Sequence, residues 1–135
     1  QEFSQRYANP KEMGDMFEYA EARLQDTKNR QNSIPTENVQ LIHEWVDVQD
    51  EVIAATKKAY EWAIENGIAK EQARKVLPEG LTKTRLYMNG TIRSWIHYID
   101  LRGANGTQLE HMQIAHACAD AIAKIFPNIN NYTAE

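Results

Sequence analysis

Apolar residues recur along the middle of this chain at Val39, Ile42, Val46, Ile53, Tyr60, Ala63 and Ile64. These intervals follow the helical period and predict one long helix running to Glu65. Gly67 serves as its stop, and Pro35 stands near its first turn, where proline is tolerated. Trp45 and Trp62 flank the stripe and widen it. At about 1.5 Å per residue such a helix runs roughly 45 Å, more than a globule of this size needs. The excess length points to a partner subunit, or to a further part of the protein, packed along it.

Shorter patterns fill the rest. Residues 1–7 read as a strand or strand end, broken by Asn9-Pro10. Residues 11–35 are polar and irregular, with a short helix around Met16–Ala22 and an ordered surface loop over Arg23–Ser33. A short helix over Lys70–Leu77 ends at Pro78, and Thr84–Met88 alternates loosely, like a strand. Arg93–Gly103 places Trp95, Ile96 and Ile99 on one side of a short amphipathic helix, with Gly103 suited to a helix stop. Gly103-Ala104-Asn105-Gly106 reads as a tight turn into a last helix. Thr107 and Glu110 have the spacing of a capping box there. Its apolar face carries Leu109, Met112, Ala115, Ala119, Ile122, Ala123 and Phe126, and Pro127 stops it. The expected architecture is α+β and helix-dominated, with one long helix and a few strands of an antiparallel sheet. It is read as a single domain spanning 1–135.

Composition narrows the class. The 135 residues are 42% hydrophobic and 25% charged, the range of an ordinary globular domain. The formal net charge of −4 argues against a general binder of nucleic acid or anionic membrane. It leaves room for a local basic pocket. Cys118 is the only cysteine, so no internal disulfide forms and a reducing, cytoplasmic setting is expected. No apolar run approaches the roughly 20 residues of a membrane span. The chain opens QEFSQRY, without methionine, and reads as lacking an N-terminal portion.

Arginine carries the chemistry that stands out. Arg93 and His97 are four apart and share a helix face, and Arg102 stands at the helix end. Arg6 and Arg74 lie elsewhere in the chain. Guanidinium forks bind phosphate in bidentate fashion and donate to carbonyl oxygens of a base. Taken singly, each arginine is most simply a surface or salt-bridged residue, while converging arginines would form an anion pocket for a nucleotide. His97 is most simply a core histidine bonded to a backbone carbonyl; the sharper reading is a polar cofactor contact. His111 and His116 are five apart, unlike a helical zinc pair, His43 is isolated, and no metal site is expected. Ser4 has neither a neighbouring histidine base nor a nucleophile elbow. Cys118, among alanines on an apolar helix, is inert if buried. Neither a Walker nor a Rossmann glycine pattern is present.

Three separated segments carry a resemblance: EFSQRY at Glu2–Tyr7, QARKVLP at Gln72–Pro78, and TIRSWIHYIDLRG…TQLE from Thr91 to Glu110. In this order they resemble the flavin-dependent thymidylate synthases, the ThyX family, over nearly the whole chain. The family's Arg-His-Arg segment, which precedes the E-x-S-x-R-Y part, is not present. The resemblance therefore implies the C-terminal portion of a synthase that makes dTMP from dUMP. It implies FAD as cofactor, NADPH and 5,10-methylenetetrahydrofolate as co-substrates, and a homotetramer with shared active sites. It implies dUMP contacts from Glu2, Phe3, Ser4, Gln5, Arg6, Arg74 and Arg102. Gln5 stands where many members have glycine. It implies FAD contacts from Glu2, Thr91, Ile92, Arg93 and His97, with Thr91 replacing an asparagine of some members. Arg102 matches the arginine that activates the pyrimidine, the catalytic role. A helical oligomerisation or nucleotide-binding module without catalysis is the alternative class.

Overall fold

The computed structural model describes residues 16–104 and 106–132. These form four α-helices and a two-stranded antiparallel sheet: β1 (Arg23–Gln25), β2 (Ser33–Pro35), α1 (Val39–Glu65), α2 (Lys70–Ala73), α3 (Ile92–Gly103) and α4 (Leu109–Ala123). A single 3₁₀ turn follows α2 at Arg74–Val76, and a six-residue 3₁₀ segment follows α4 at Pro127–Tyr132. The helix-dominated α+β class is as expected. The predicted strand at residues 1–7 lies outside the described residues. The chain gathers into two compact units, the first built on α1 and α2, the second on the β1–β2 hairpin, α3 and α4.

In the first unit, α1 spans 27 residues, about 40 Å. Asn38 caps it, its side-chain oxygen accepting from the Leu41 N–H at 3.2 Å. Pro35 is instead the last residue of β2, three residues before that cap. At the far end the Gly67 N–H donates to the Ile64 carbonyl and the Ile68 N–H to the Ala63 carbonyl. This is a Schellman arrangement, and it places Gly67 at φ +74°, a left-handed conformation that suits glycine. A Cβ at Gly67 would meet nothing within 4 Å, so the cost of adding one is conformational alone. Gly67→Ala is expected to lower stability by about 1–2 kcal/mol, read as a shift in urea midpoint. An unchanged midpoint would show that the helix end relaxes freely.

Only part of the predicted stripe is buried. Ile53, Tyr60 and Ala63 are inside, together with Gln49 and Thr56, whereas Val39 and Val46 face outward. Gln49 is inside because its amide is satisfied: it accepts from the Ala20 N–H at 2.7 Å and donates to the Ala20 and Trp45 carbonyls. That exchange holds the segment before β1 along α1 in extended form, so the expected helix at Met16–Ala22 does not form. Phe17 bridges Thr82 instead, and packs with Met16, Ile53, Leu77 and Leu81. A second cluster joins Tyr60 and Ala63 to Ala73, which anchors α2. Thr84–Met88 is not a strand; it holds one bridge residue, Leu86.

In the second unit the expected loop at Arg23–Ser33 proves to be a hairpin, with Leu24 paired to Ile34. Its connection is ordered without glycine or proline. The Asp26 carboxylate accepts from the N–H groups of Lys28 and Asn29 and from the Asn32 amide, and these bonds hold its pKa below the ordinary range. Ile99 of α3 packs with Ala119 of α4 and with Ile129. Ala115 and Ala119 are both buried, and their small side chains let α3 approach closely. The predicted capping box does not form: Gln108 is the N-cap, without a side-chain capping bond, and Glu110 pairs with Arg23 of β1. Pro127 does not stop α4, which has already ended at Ala123; it opens the following 3₁₀ turn, where its missing N–H is harmless.

Candidate functional site

Helix α3 concentrates the predicted site residues of the second unit. Thr91 is its N-cap: the hydroxyl oxygen accepts from the Ser94 N–H at 3.2 Å and shares a hydrogen bond with the Ser94 hydroxyl at 3.0 Å. That commitment fixes the start of the helix. Ile92 follows, 40% exposed. Arg93 and His97 are exposed, about 40° apart around the axis, and neither has a hydrogen-bond or ion-pair partner among the described residues. His97 is therefore not a core histidine. The histidine bonded to a backbone carbonyl is His116, whose Nε2 lies 3.1 Å from the Gly103 oxygen.

Arg102 does not share the face of Arg93. Nine residues of helix turn it about 180° away, onto the flank that carries Tyr98 and Trp95. The Trp95 and Tyr98 rings meet edge to face with centroids 5.8 Å apart, and His111 of α4 lies tilted against Tyr98 at 5.7 Å. Burial raises the Tyr98 phenol pKa, the Cys118 thiol adds to this only where it ionises at high pH, and the positive charge of Arg102 pulls it partly back. Arg102 itself is exposed and has no carboxylate partner among the described residues. Burial likewise pushes the Cys118 thiol up, so it stays protonated and unreactive. The ring cluster at Tyr98 and the His116–Gly103 contact went unread in the sequence. The i, i+3 spacing of Trp95 and Tyr98 was a signal for the ring cluster, and the contact between helices had none.

In the first unit Arg74 opens the 3₁₀ turn after α2, exposed and without a partner among the described residues. Ala73, buried against Tyr60 and Ala63, fixes the backbone next to it. A groove of ≈ 640 Å³ lies between the C-terminal half of α1 and α2, lined by Trp62, Ile68, Val76 and Lys58 among others. Glu2, Phe3, Ser4, Gln5 and Arg6 lie outside the described residues. Among the described residues no helix is long and apolar enough to cross a membrane. No group of three or more His, Cys, Asp or Glu there is placed to hold a metal ion.

A helix-dominated α+β chain whose α3 arginines have no partner among the described residues finds its class when set beside known proteins. The family described as thymidylate synthase complementing protein matches residues 1–128, and the chain belongs to it. It is 49% identical over 129 residues to a protein named probable flavin-dependent thymidylate synthase from Paramecium bursaria Chlorella virus 1. It is 44% identical over 129 residues to the flavin-dependent thymidylate synthase of Synechocystis sp.. Each match covers 96% of this chain and 58% of the relative. A more distant relative, the flavin-dependent thymidylate synthase of Aquifex aeolicus, is 34% identical over 121 residues, which is 90% of this chain and 37% of that protein. The chain thus spans a little over half the length of the two more similar of these relatives.

Proposed function

We propose that this chain is the part of a flavin-dependent thymidylate synthase that supplies the pyrimidine-activating arginine and a portion of the flavin site. The reaction is the reductive methylation of dUMP to dTMP. The methylene group comes from 5,10-methylenetetrahydrofolate, and the reducing equivalents come from NADPH through FAD. The observation that carries this reading is Arg102, a permanent cation without a partner among the described residues, on a helix anchored by the buried Ile99.

Uracil is a poor nucleophile at C5. Negative charge developing over N3 and O4 moves electron density into the ring, and a fixed guanidinium beside those atoms stabilises that charge as it grows. No enzyme thiolate is needed, in keeping with a Cys118 whose thiol stays protonated. Arg74, and Arg6, Glu2, Phe3, Ser4 and Gln5 near the start of the chain, are assigned to dUMP contact.

The residues present fit a flavin. Ile92 offers exposed apolar surface, and Arg93 and His97 offer donors that have no partner among the described residues. Thr91, engaged with Ser94, sets where that helix begins. Glu2 is assigned to the same group. When bound, the flavin supplies the redox chemistry, while this chain supplies placement and charge. A homotetramer with shared active sites is part of the reading. The exposed Val39, Val48 and Trp62 on α1 fit a helix covered by another subunit. A cytoplasmic setting accords with the single reduced cysteine.

Flavin retention tests the cofactor half of the proposal. The full-length protein is expected to purify yellow, with flavin absorbance in the visible blue. Arg93→Ala is expected to weaken FAD binding by about tenfold or more, since a charge-assisted hydrogen bond contributes roughly 1.5–3 kcal/mol. A colourless protein that still binds dUMP would favour a nucleotide-binding module without catalysis.

A further inference from the structure

We propose that His116 is a positioning residue for Arg102, acting through the carbonyl of Gly103. The inference rests on the reading of Arg102 as the pyrimidine-activating arginine.

The last carbonyls of an α-helix have no partner within the helix. At the end of α3 one of them, that of Gly103, is bonded by His116 Nε2 at 3.1 Å. The contact is tight on the carbon side as well. A Cβ on residue 103 would lie 3.1 Å from His116 Nε2 and 3.2 Å from its Cδ2. Gly103 is not among the glycines with positive φ, which are Gly67 and Gly106. A side chain at 103 would therefore have to push the imidazole aside by a few tenths of an ångström, so what favours glycine there is the imidazole and not the backbone conformation. The imidazole is exposed, and its backbone is anchored beside Ala115, which is fully buried. Both the neutral Nε2–H tautomer and the imidazolium donate to a carbonyl, so this clamp holds in either protonation state.

Arg102 is the residue immediately before this clamp. One turn earlier, Tyr98 is wedged between Trp95 and His111 on the same flank. Helix α4 thus touches the surroundings of Arg102 twice, through His111 at Tyr98 and through His116 at the Gly103 backbone. A long, flexible cation with no carboxylate partner among the described residues gains its direction from the backbone it leaves and the surface it lies along. Stabilising charge on a pyrimidine ring needs a cation fixed before the charge appears.

The test uses the full-length, flavin-loaded protein, with turnover expressed per bound flavin so that loss of folded enzyme does not register. His116→Phe keeps a ring but removes the donor, and His116→Gln places an amide donor near the former Nε2. In His116→Phe and in Gly103→Ala, kcat and kcat/KM for dUMP are both expected to fall roughly tenfold, with dUMP Kd within about threefold of the parent, the scale of one lost hydrogen bond felt in the transition state. His116→Gln is expected to stay within about threefold of the parent. Gly103→Ala added to His116→Ala is expected to cost little more than His116→Ala alone, because the imidazole it would strike is gone. Parental kinetics in both His116→Phe and Gly103→Ala, alongside an Arg102→Lys variant that has lost turnover, would overturn the clamp while leaving the role of Arg102 intact. Normal turnover in Arg102→Lys would instead overturn the reading of Arg102, and the clamp with it.

Discussion

Replacing Arg102 by alanine is expected to lower dUMP turnover in the full-length protein by about 10²–10³-fold, the scale of losing one preorganised donor to a developing charge. Stability should move by no more than about 0.5 kcal/mol, because Arg102 is exposed and bonds to no described residue. The combination is what discriminates. A residue that held the fold would shift the melting curve, and a residue that merely attracted phosphate would raise KM while sparing kcat. Steady-state assays with varied dUMP, beside a thermal melt followed by circular dichroism, measure both. Turnover near that of the parent would remove the proposed role.

Ile99→Ala carries the largest expected effect on stability, a loss of about 2–5 kcal/mol. Ile99 is only 2% exposed, and its neighbours across the interface include Ala119 and Ile129. Ala115 and Ala119 of α4 have no long side chains with which to fill the space left behind, so the cavity persists. Unfolding of the second unit would also release the ends of α3, where Thr91, Arg93, His97 and Arg102 are displayed. Urea unfolding followed by far-ultraviolet circular dichroism reads the loss, and flavin retention should fall with it. A change below about 1 kcal/mol would mean that α3 gains little from packing on α4.

The helices were legible in the sequence where the apolar period was long. Helix α1 was placed from its stripe and its terminal glycine, and α3 and α4 from theirs. The pattern could not show that the first turns of α1 stay open to solvent, since Val39 and Val46 match the period whether or not anything covers them. It also could not show that Gln49 belongs inside, because a glutamine is buried only when backbone groups from elsewhere satisfy its amide. The hairpin was read as a loop because strands of three residues carry too little alternation to register, and its turn is closed by Asp26 rather than by glycine. Thr107-x-x-Glu110 matched a capping box, yet Arg23 offers Glu110 an ion pair that spacing alone does not reveal. Gly103 was noticed as a helix stop, and a helix does end there. Its reason is the His116 imidazole, a contact between two helices rather than a property of one. For the candidate site, the pairing of Arg93 with His97 followed from their spacing. The opposed direction of Arg102 is implied by the same helical geometry, but what surrounds it depends on α4.

Product formation is the most direct measurement. The full-length protein, given dUMP, FAD, NADPH and 5,10-methylenetetrahydrofolate, is expected to form dTMP, and to form none when FAD, NADPH or the folate is left out. A protein that binds both flavin and dUMP yet makes no dTMP with every component present, or that makes it equally well without flavin, would contradict the account.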